Sequence, residues 1–375
     1  MRIGIITLTG FFNYGNRLQN YALSHFLEKI INDVQVDTIW YDKDNYNVNN
    51  FSLIRTLRYC LLNKHGVRDK IKNKTYIYDY IREYNMKRFN DQYLNLIYSY
   101  DVDSSFNERY DYFIVGSDQV WYPSKKPRTK EFLQFADKNK RVSYAASFGV
   151  NSIPSKMYSS YKDFLNGMHA ISVREESGVK IVKEITGKNA KLLVDPTLLL
   201  TRKEWMQIAK RPYWMKENSK YILLYILGEL NSVIKEFLKS FADENNYTII
   251  DMMDESNGEI YASSPDEFIY LIAHAQIVIT DSFHGTVFSI INNVPFFVYP
   301  RKGITYNADS RINTVLDMFG LERQKRNVTE IFNDKDIIDV SFENVEKILN
   351  IKRNESENWL KNALGGTLND NKQSE

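Results

Sequence analysis

Residues 276–300, QIVITDSFHGTVFSIINNVPFFVYP, decide how the rest of the chain is organised. Ile277, Val278 and Ile279 form an unbroken β-branched run, the pattern of a strand buried on both faces. Asp281 and Ser282 then offer N-cap side chains, and Thr286 to Ile291 is apolar enough for a buried helix. Val294 to Tyr299 supplies the next parallel strand. The unit is β-turn-α-β, with His284 and Gly285 in the first helical turn. Unpaired N–H groups and the positive end of the helix dipole make that turn a ready anion site. Gly285 would let a ligand approach the backbone, and His284 adds a proton donor or acceptor. The plainer reading is that Asp281 and Ser282 merely cap the helix and His284 is a satisfied polar group. Position favours the ligand, because open α/β sheets bind at the carboxyl ends of their strands.

The same plan opens the chain. Residues 3–8 predict a strand, and Gly10 to Gly15 a loop. Asn16 can cap the next helix, with Gln19 at capping-box spacing and Leu18, Ala22, Phe26 and Ile30 at helical period. Val34 to Trp40 predicts the second strand. This βαβ unit lacks the dinucleotide pattern GxGxxG. It still places Asn13, Gly15, Asn16 and Arg17 at a strand's carboxyl end, where a ligand could bind. Three more strands end on reactive side chains. Tyr112 to Val115 delivers Gly116, Ser117 and Asp118, and Arg141 to Ala146 ends at Ser147. Ala170 to Val173 leads to Arg174 and Glu175, with Ser172 and Glu175 at capping-box spacing. Arg174 opposes the dipole of the helix it opens, so either a local Glu or an anionic ligand must face it. Leu192 to Val194 stops at Asp195. Ser264, Pro265, Asp266 and Glu267 make a capping box before a helix that runs to Ala273.

Length bounds the architecture. At 375 residues, 43% hydrophobic and 26% charged, the chain can bury two cores. Residues 201–219 are expected to hold the crossing between them. A net charge of +2 gives no electrostatic case for nucleic acid. The single cysteine, Cys60, excludes an internal disulfide and any cysteine-built metal site, as a reducing compartment would have it. The N-terminus lacks a signal-peptide layout, and the apolar run Tyr221 to Leu227 is too short to span a bilayer. The expected location is the cytoplasm. From Phe51 to Arg88 there are 10 Lys or Arg against 3 Asp or Glu, on a helical pattern. Two readings stand for this basic insertion, 51–90: a solvated helical face, or a surface for an anionic membrane or a lipid-linked acceptor. After Pro300, Arg301, Lys302 and Arg311 could complete a phosphate or carboxylate clamp, or form a solvated basic loop.

Seven stretches in order resemble the polysaccharide pyruvyl transferase family: FNYGNRLQNYAL (12–23), VGSDQVW (115–121), SYAASFG (143–149), ISVREESG (171–178), VDPTLLL (194–200), TDSFHG (280–285) and SRINTVLDMFG (310–320). The resemblance covers nearly all of residues 1–325 and is carried most by SVRE followed by DSFHG. It implies an α/β, GT-B-like fold, two Rossmann-type domains facing across a cleft with the C-terminal helix returning to the first. The acceptor domain would be 1–205 and the donor domain 215–345, with a helix and disordered tail over 346–375. It implies transfer of the enolpyruvyl unit of phosphoenolpyruvate onto a sugar, as a cyclic ketal. The family's S-x-H-G turn falls on Ser282, Phe283, His284 and Gly285, making His284 the catalytic or phosphate-side residue, with Thr286 beside it. Its S-x-R-E arginine falls on Arg174, which would hold the donor, and its basic loop falls on Arg301, Lys302 and Arg311. Where many relatives have a G-G-G-D-type turn, this chain has Gly116, Ser117 and Asp118, and the acceptor sugar stays open. Asp118 is the candidate for orienting or deprotonating it. The chemistry demands no redox cofactor or metal, phosphoenolpyruvate being a donor substrate. A nucleotide-sugar glycosyltransferase on the same plan, or a non-catalytic glycan-binding protein, are the competing readings.

Overall fold

Two parallel sheets organise the chain. The computed structural model describes residues 1–10, 13–41, 75–99, 102–124, 128–301 and 309–365. The first sheet holds β1 (Arg2–Ile6), β2 (Gln35–Trp40), β3 (Leu96–Tyr98), β4 (Tyr112–Val115), β5 (Arg141–Ala146), β6 (Ala170–Val173) and β7 (Lys191–Leu192). Their order is β3-β2-β1-β4-β5-β6-β7, every pair parallel. The second holds β8 (Tyr221–Tyr225), β9 (Thr248–Asp251), β10 (Ile277–Thr280) and β11 (Phe296–Val298), in the order β11-β10-β8-β9, again parallel. Parallel neighbours need crossovers, and helices supply them on both faces. Strand order reverses between β1 and β4 in one sheet and between β8 and β10 in the other, so a crevice opens at each reversal.

Local chemistry fixes the elements. Ile277, Val278 and Ile279 are buried, as a central strand of apolar β-branched residues must be. The helix after it spans Phe283–Asn292, capped by Ser282. Glu267 accepts from both the backbone N–H and the hydroxyl of Ser264, which starts the helix Pro265–Ala273 as expected. Two expected caps are corrected. Asn13, not Asn16, caps the helix Tyr14–Ile30, because its side chain accepts from the Asn16 N–H. Ser172 stays in β6 and bonds across to Ser143 and Ala145, so Glu175 stands alone at the cap of the helix Glu176–Thr186.

The crossing at 201–219 is no loose linker. A reciprocal Thr201–Glu204 capping box starts the helix Arg202–Ile208. Trp205 on it is fully buried, with ring centres 5.6 Å from Tyr21 and 4.9 Å from Phe288. One continuous apolar cluster therefore links the two sheets.

The described end of the basic insertion, the helix Thr75–Tyr93, is not simply a solvated face. Arg82 is buried between the rings of Tyr14 (4.7 Å) and Tyr261 (4.6 Å) and donates to the Tyr261 carbonyl at 2.7 Å. Asn85 donates to the Ala262 carbonyl at 2.7 Å. This helix braces the first half against the second. The rest of the insertion, residues 51–74, lies outside the described residues, as do Lys302 and residues 366–375 of the expected disordered tail.

The helix Val345–Ala363 returns to the first half. Arg353 donates to the carbonyls of Leu198 (3.1 Å) and Leu200 (3.0 Å), and Glu355 pairs with Lys191 beside β7. No described helix is long and apolar enough to cross a membrane.

Candidate active site

Three strands of the first sheet, with β5 between the first two, deliver charged side chains to one place. Asp118 follows β4, Arg174 follows β6, and Asp195 follows β7. Asp195 is the hub. Its Oδ2 receives Arg174 Nη1 at 2.6 Å and the Ser117 hydroxyl at 2.9 Å. Its Oδ1 receives the Thr197 N–H at 3.0 Å and hydroxyl at 2.7 Å. Arg174 Nη2 reaches Asp118 Oδ1 at 3.4 Å, and Arg311 Nη1 lies 3.9 Å from the same oxygen. Asp118 takes the left-handed backbone (φ 71°), and its own carboxylate accepts the Gln119 N–H. Glu175 adds negative charge near Arg174 and Arg311, but its hydrogen bonds go to the loop after β5. Its Oε1 accepts from the Ser147 hydroxyl and the N–H groups of Phe148 and Gly149, which holds that loop.

The second half contributes the helix end at His284. Its Nε2 lies 3.8 Å from Asp195 Oδ1, too long for a hydrogen bond but close enough for attraction once protonated. On the other side the ring rests on Gly15, in the first turn of the opposing helix. A Cβ there would fall 1.9 Å from His284 Nδ1, so only glycine leaves the imidazole its place. Two helix N-termini thus meet, one from each half. Phe283 adds a cationic stack, with Arg174 Cζ 4.4 Å and Arg311 Cζ 6.0 Å from its ring centre.

Unpartnered polar atoms concentrate here. Among the described residues, Arg174 Nε, Arg311 Nε and His284 Nε2 are buried without a hydrogen-bond partner, as is Glu175 Oε2. Buried polar groups are normally satisfied, so such a concentration marks where a ligand's acceptors would go. Burial lowers the His284 pKa below 6.5, opposed by Asp195 and Asp118, so the imidazole is uncharged at neutral pH. Burial alone would raise Asp195, but Arg174, His284 and the Thr197 bonds outweigh it and hold the carboxyl at about 2. Burial, with Arg174 nearby, brings Arg311 down to about 10, and it stays a cation.

The candidate residues divide accordingly. Ser117, Asp118, Arg174, His284 and Arg311 are brought together, with Gly15 against the imidazole. Asn16 is buried nearby, its Oδ1 without a partner. Asn13 and Ser282 serve as caps. Thr286 bonds the Ser282 carbonyl inside its own helix. Gly285 answers a packing need rather than a ligand's approach: a Cβ would meet Thr280 Oγ1 at 2.4 Å. Arg301 is engaged elsewhere. Its guanidinium binds Asp281 Oδ2 at 2.9 Å and the Asp281 carbonyl at 3.0 Å, and the same carboxylate accepts the N–H groups of Leu227 and Gly228. Asp195 was not among the sequence candidates. Its signal was present, a carboxylate directly after a strand, but its significance depends on the strand order.

A family model for polysaccharide pyruvyl transferase matches residues 13–303. The chain belongs to the polysaccharide pyruvyl transferase family. The matched segment of this pyruvyl transferase family member includes Gly15, Asp118, Arg174, Asp195 and His284 and ends before Arg311. Among solved structures, the S. aureus MnaA–UDP co-structure is 11% identical, covers 98% of each chain and superposes with a TM-score of 0.51. UDP-GlcNAc 2-epimerase from Neisseria meningitidis bound to UDP-GlcNAc is 11% identical, covers 97% of each chain and gives 0.46. A comparison with curated proteins found no match. At such identity the S. aureus likeness speaks to fold alone, and the fold is GT-B-like.

Proposed function

We propose that this transferase moves the enolpyruvyl unit of phosphoenolpyruvate onto a sugar of a bacterial surface polysaccharide or its lipid-linked precursor. The product is a cyclic pyruvate ketal, and phosphate is released. The observation that carries the reading, given the family, is the pair of unpartnered Arg174 and Arg311 donors beside the unpartnered His284 imidazole nitrogen at the helix end. A phosphorylated, carboxylated three-carbon donor supplies the acceptors they lack.

The chemistry follows from what each group can do. The donor's vinyl carbon gains a proton and becomes a methyl group, while a sugar hydroxyl bonds to the adjacent carbon and gives up its proton. The C–O bond to phosphate then breaks, a second hydroxyl closes the ketal, and its proton leaves with the phosphate. His284 is uncharged when the site is empty. An arriving dianion favours its protonated form, so the acid is made when the donor binds. Asp195 stabilises that imidazolium and keeps Arg174 in place. Asp118, on the first-domain wall, is the group to orient the acceptor hydroxyl.

The nucleotide-sugar alternative would want a diphosphate at the reversal of the second sheet. There Asp281 already takes the Leu227 and Gly228 N–H groups, and Arg301 covers it, which counts against that reading. Placement at the inner membrane face would suit a lipid-linked acceptor. The test is mass spectrometry of the surface polysaccharide from a strain lacking the gene. Loss of a pyruvate-sized substituent is expected, and an unchanged polysaccharide overturns the proposal. With purified protein, stabilisation by a sugar nucleotide but not by phosphoenolpyruvate would favour the alternative.

A further inference from the structure

Arg17 is a buried cation that the chemistry above does not use. It sits in the first turns of the helix Tyr14–Ile30 and is fully buried. One nitrogen, Nη2, donates to the Leu8 carbonyl, and the guanidinium lies 4.9 Å over the Trp40 ring. Its Nε and Nη1 are buried with no hydrogen-bond partner among the described residues. Arg353, buried to a similar degree, shows what a structural arginine does. It uses Nε and Nη2 on carbonyls and Nη1 on Glu346. Leaving two donors of a permanent cation unpaired in the interior is costly, and folds normally avoid it.

Its surroundings say what the donors are for. Leu8 follows β1, Trp40 ends β2 and Asp118 follows β4. Arg17 therefore stands over the carboxyl ends of the central strands, beside the reversal where the crevice opens. Burial brings its pKa down to about 10, partly offset by Asp118, so it keeps its charge at neutral pH. Asp118, which Arg174 and Arg311 approach at 3.4 and 3.9 Å, is also the carboxylate whose charge acts on Arg17. A donor with two anionic ends needs two cationic stations. The phosphate has the His284 helix end with Arg174 and Arg311; the carboxylate still needs a partner.

We infer that Arg17 is the residue that takes the carboxylate of the donor. The inference rests on the phosphoenolpyruvate reading and adds the orientation of the donor: phosphate toward the second half, carboxylate toward the first. Arg17 becomes a specificity residue, distinguishing a carboxylated enol phosphate from a plain phosphate ester.

The test is calorimetric titration of phosphoenolpyruvate and of inorganic phosphate into the full chain, as wild type and as Arg17→Met. Losing a charge-assisted contact should weaken phosphoenolpyruvate by about tenfold or more. Inorganic phosphate should bind within about twofold of wild type, since its station is intact. Free Arg17→Met should melt close to wild type, because relief of two unpaired donors offsets the lost Leu8 bond and Trp40 stack, whereas loss of a structural arginine would lower the melting temperature by several degrees. Equal affinity of both proteins for phosphoenolpyruvate, or equal weakening of both ligands, overturns the assignment. Should Arg17→Met not fold, the same pair of titrations on Arg17→Gln decides it. Wild type binding phosphate but not phosphoenolpyruvate would sink the donor reading itself, a result distinct from failure at Arg17 alone.

Discussion

Gly15→Ala is the smallest change that should reach the chemistry. The added methyl would fall 1.9 Å from His284 Nδ1, 2.3 Å from Cε1 and 2.4 Å from Cγ. Ordinary contact begins near 3.4 Å, so imidazole and helix must part by about 1.5 Å. The ring cannot retreat freely, because Phe283 packs edge-on against it at 5.2 Å and Asp195 lies on its far side. A displacement of that size at a reacting group costs on the order of 100-fold in rate. Stability should change much less. Overpacking costs about 1–3 kcal/mol, and replacing a helical glycine with alanine returns about 0.5–1 kcal/mol. The assay is the pyruvate content of surface polysaccharide in a strain carrying the allele, with the melting temperature of the purified variant beside it. A folded Gly15→Ala protein that sustains wild-type pyruvylation would refute the placement of His284 against the opposing helix.

Other outcomes follow from the same contacts. Asp195→Asn leaves Arg174 short of its main counter-charge and should cost about 3–5 kcal/mol in denaturant unfolding, with activity lost as well. His284 is held below 6.5 when folded, so between its folded value and 6.5 the unfolded chain binds more protons. Its contribution to stability is full above about pH 6.5 and declines as pH falls below it; His284→Gln should flatten the melting curve in that window. Asp195 has the opposite origin but the same slope: held at about 2 against an ordinary 3.8, its contribution is present above 3.8 and is lost as pH falls toward 2. Arg353→Met abandons the carbonyls of Leu198 and Leu200 and should cost about 2–4 kcal/mol. It should speed amide exchange in the C-terminal helix while leaving phosphoenolpyruvate affinity unchanged.

Much of the fold was legible because its signals are local. A β-branched run, a capping serine and a helical period lie within a few residues of one another, and 276–300 holds all three. Side-chain direction was less so. Gly285 invites a reading as a ligand's approach, yet its neighbour is Thr280, five residues back and on the packed side. Two asparagines three apart, Asn13 and Asn16, both make sense as caps, and only the backbone course chooses. Tertiary pairing escaped altogether. Arg301 seemed available until Asp281 and the 227–228 turn stood beside it, and Arg82 in a basic helix reads as solvated until Tyr14 and Tyr261 enclose it. Asp195 gains its role when β4, β6 and β7 end along the same side of one sheet and His284 arrives from another. That arrangement brings residues 118, 174, 195 and 284 together, and it has no counterpart in local spacing.

The central claim is that the meeting of the two helix ends is a station for the phosphate of a three-carbon donor. Calorimetric titration of phosphoenolpyruvate into wild type and Arg311→Met tests it most directly. Saturable binding by wild type, weakened at least about tenfold by the substitution, is the predicted result. Undetectable binding by the wild-type protein, or affinity indifferent to the loss of Arg311, would contradict it.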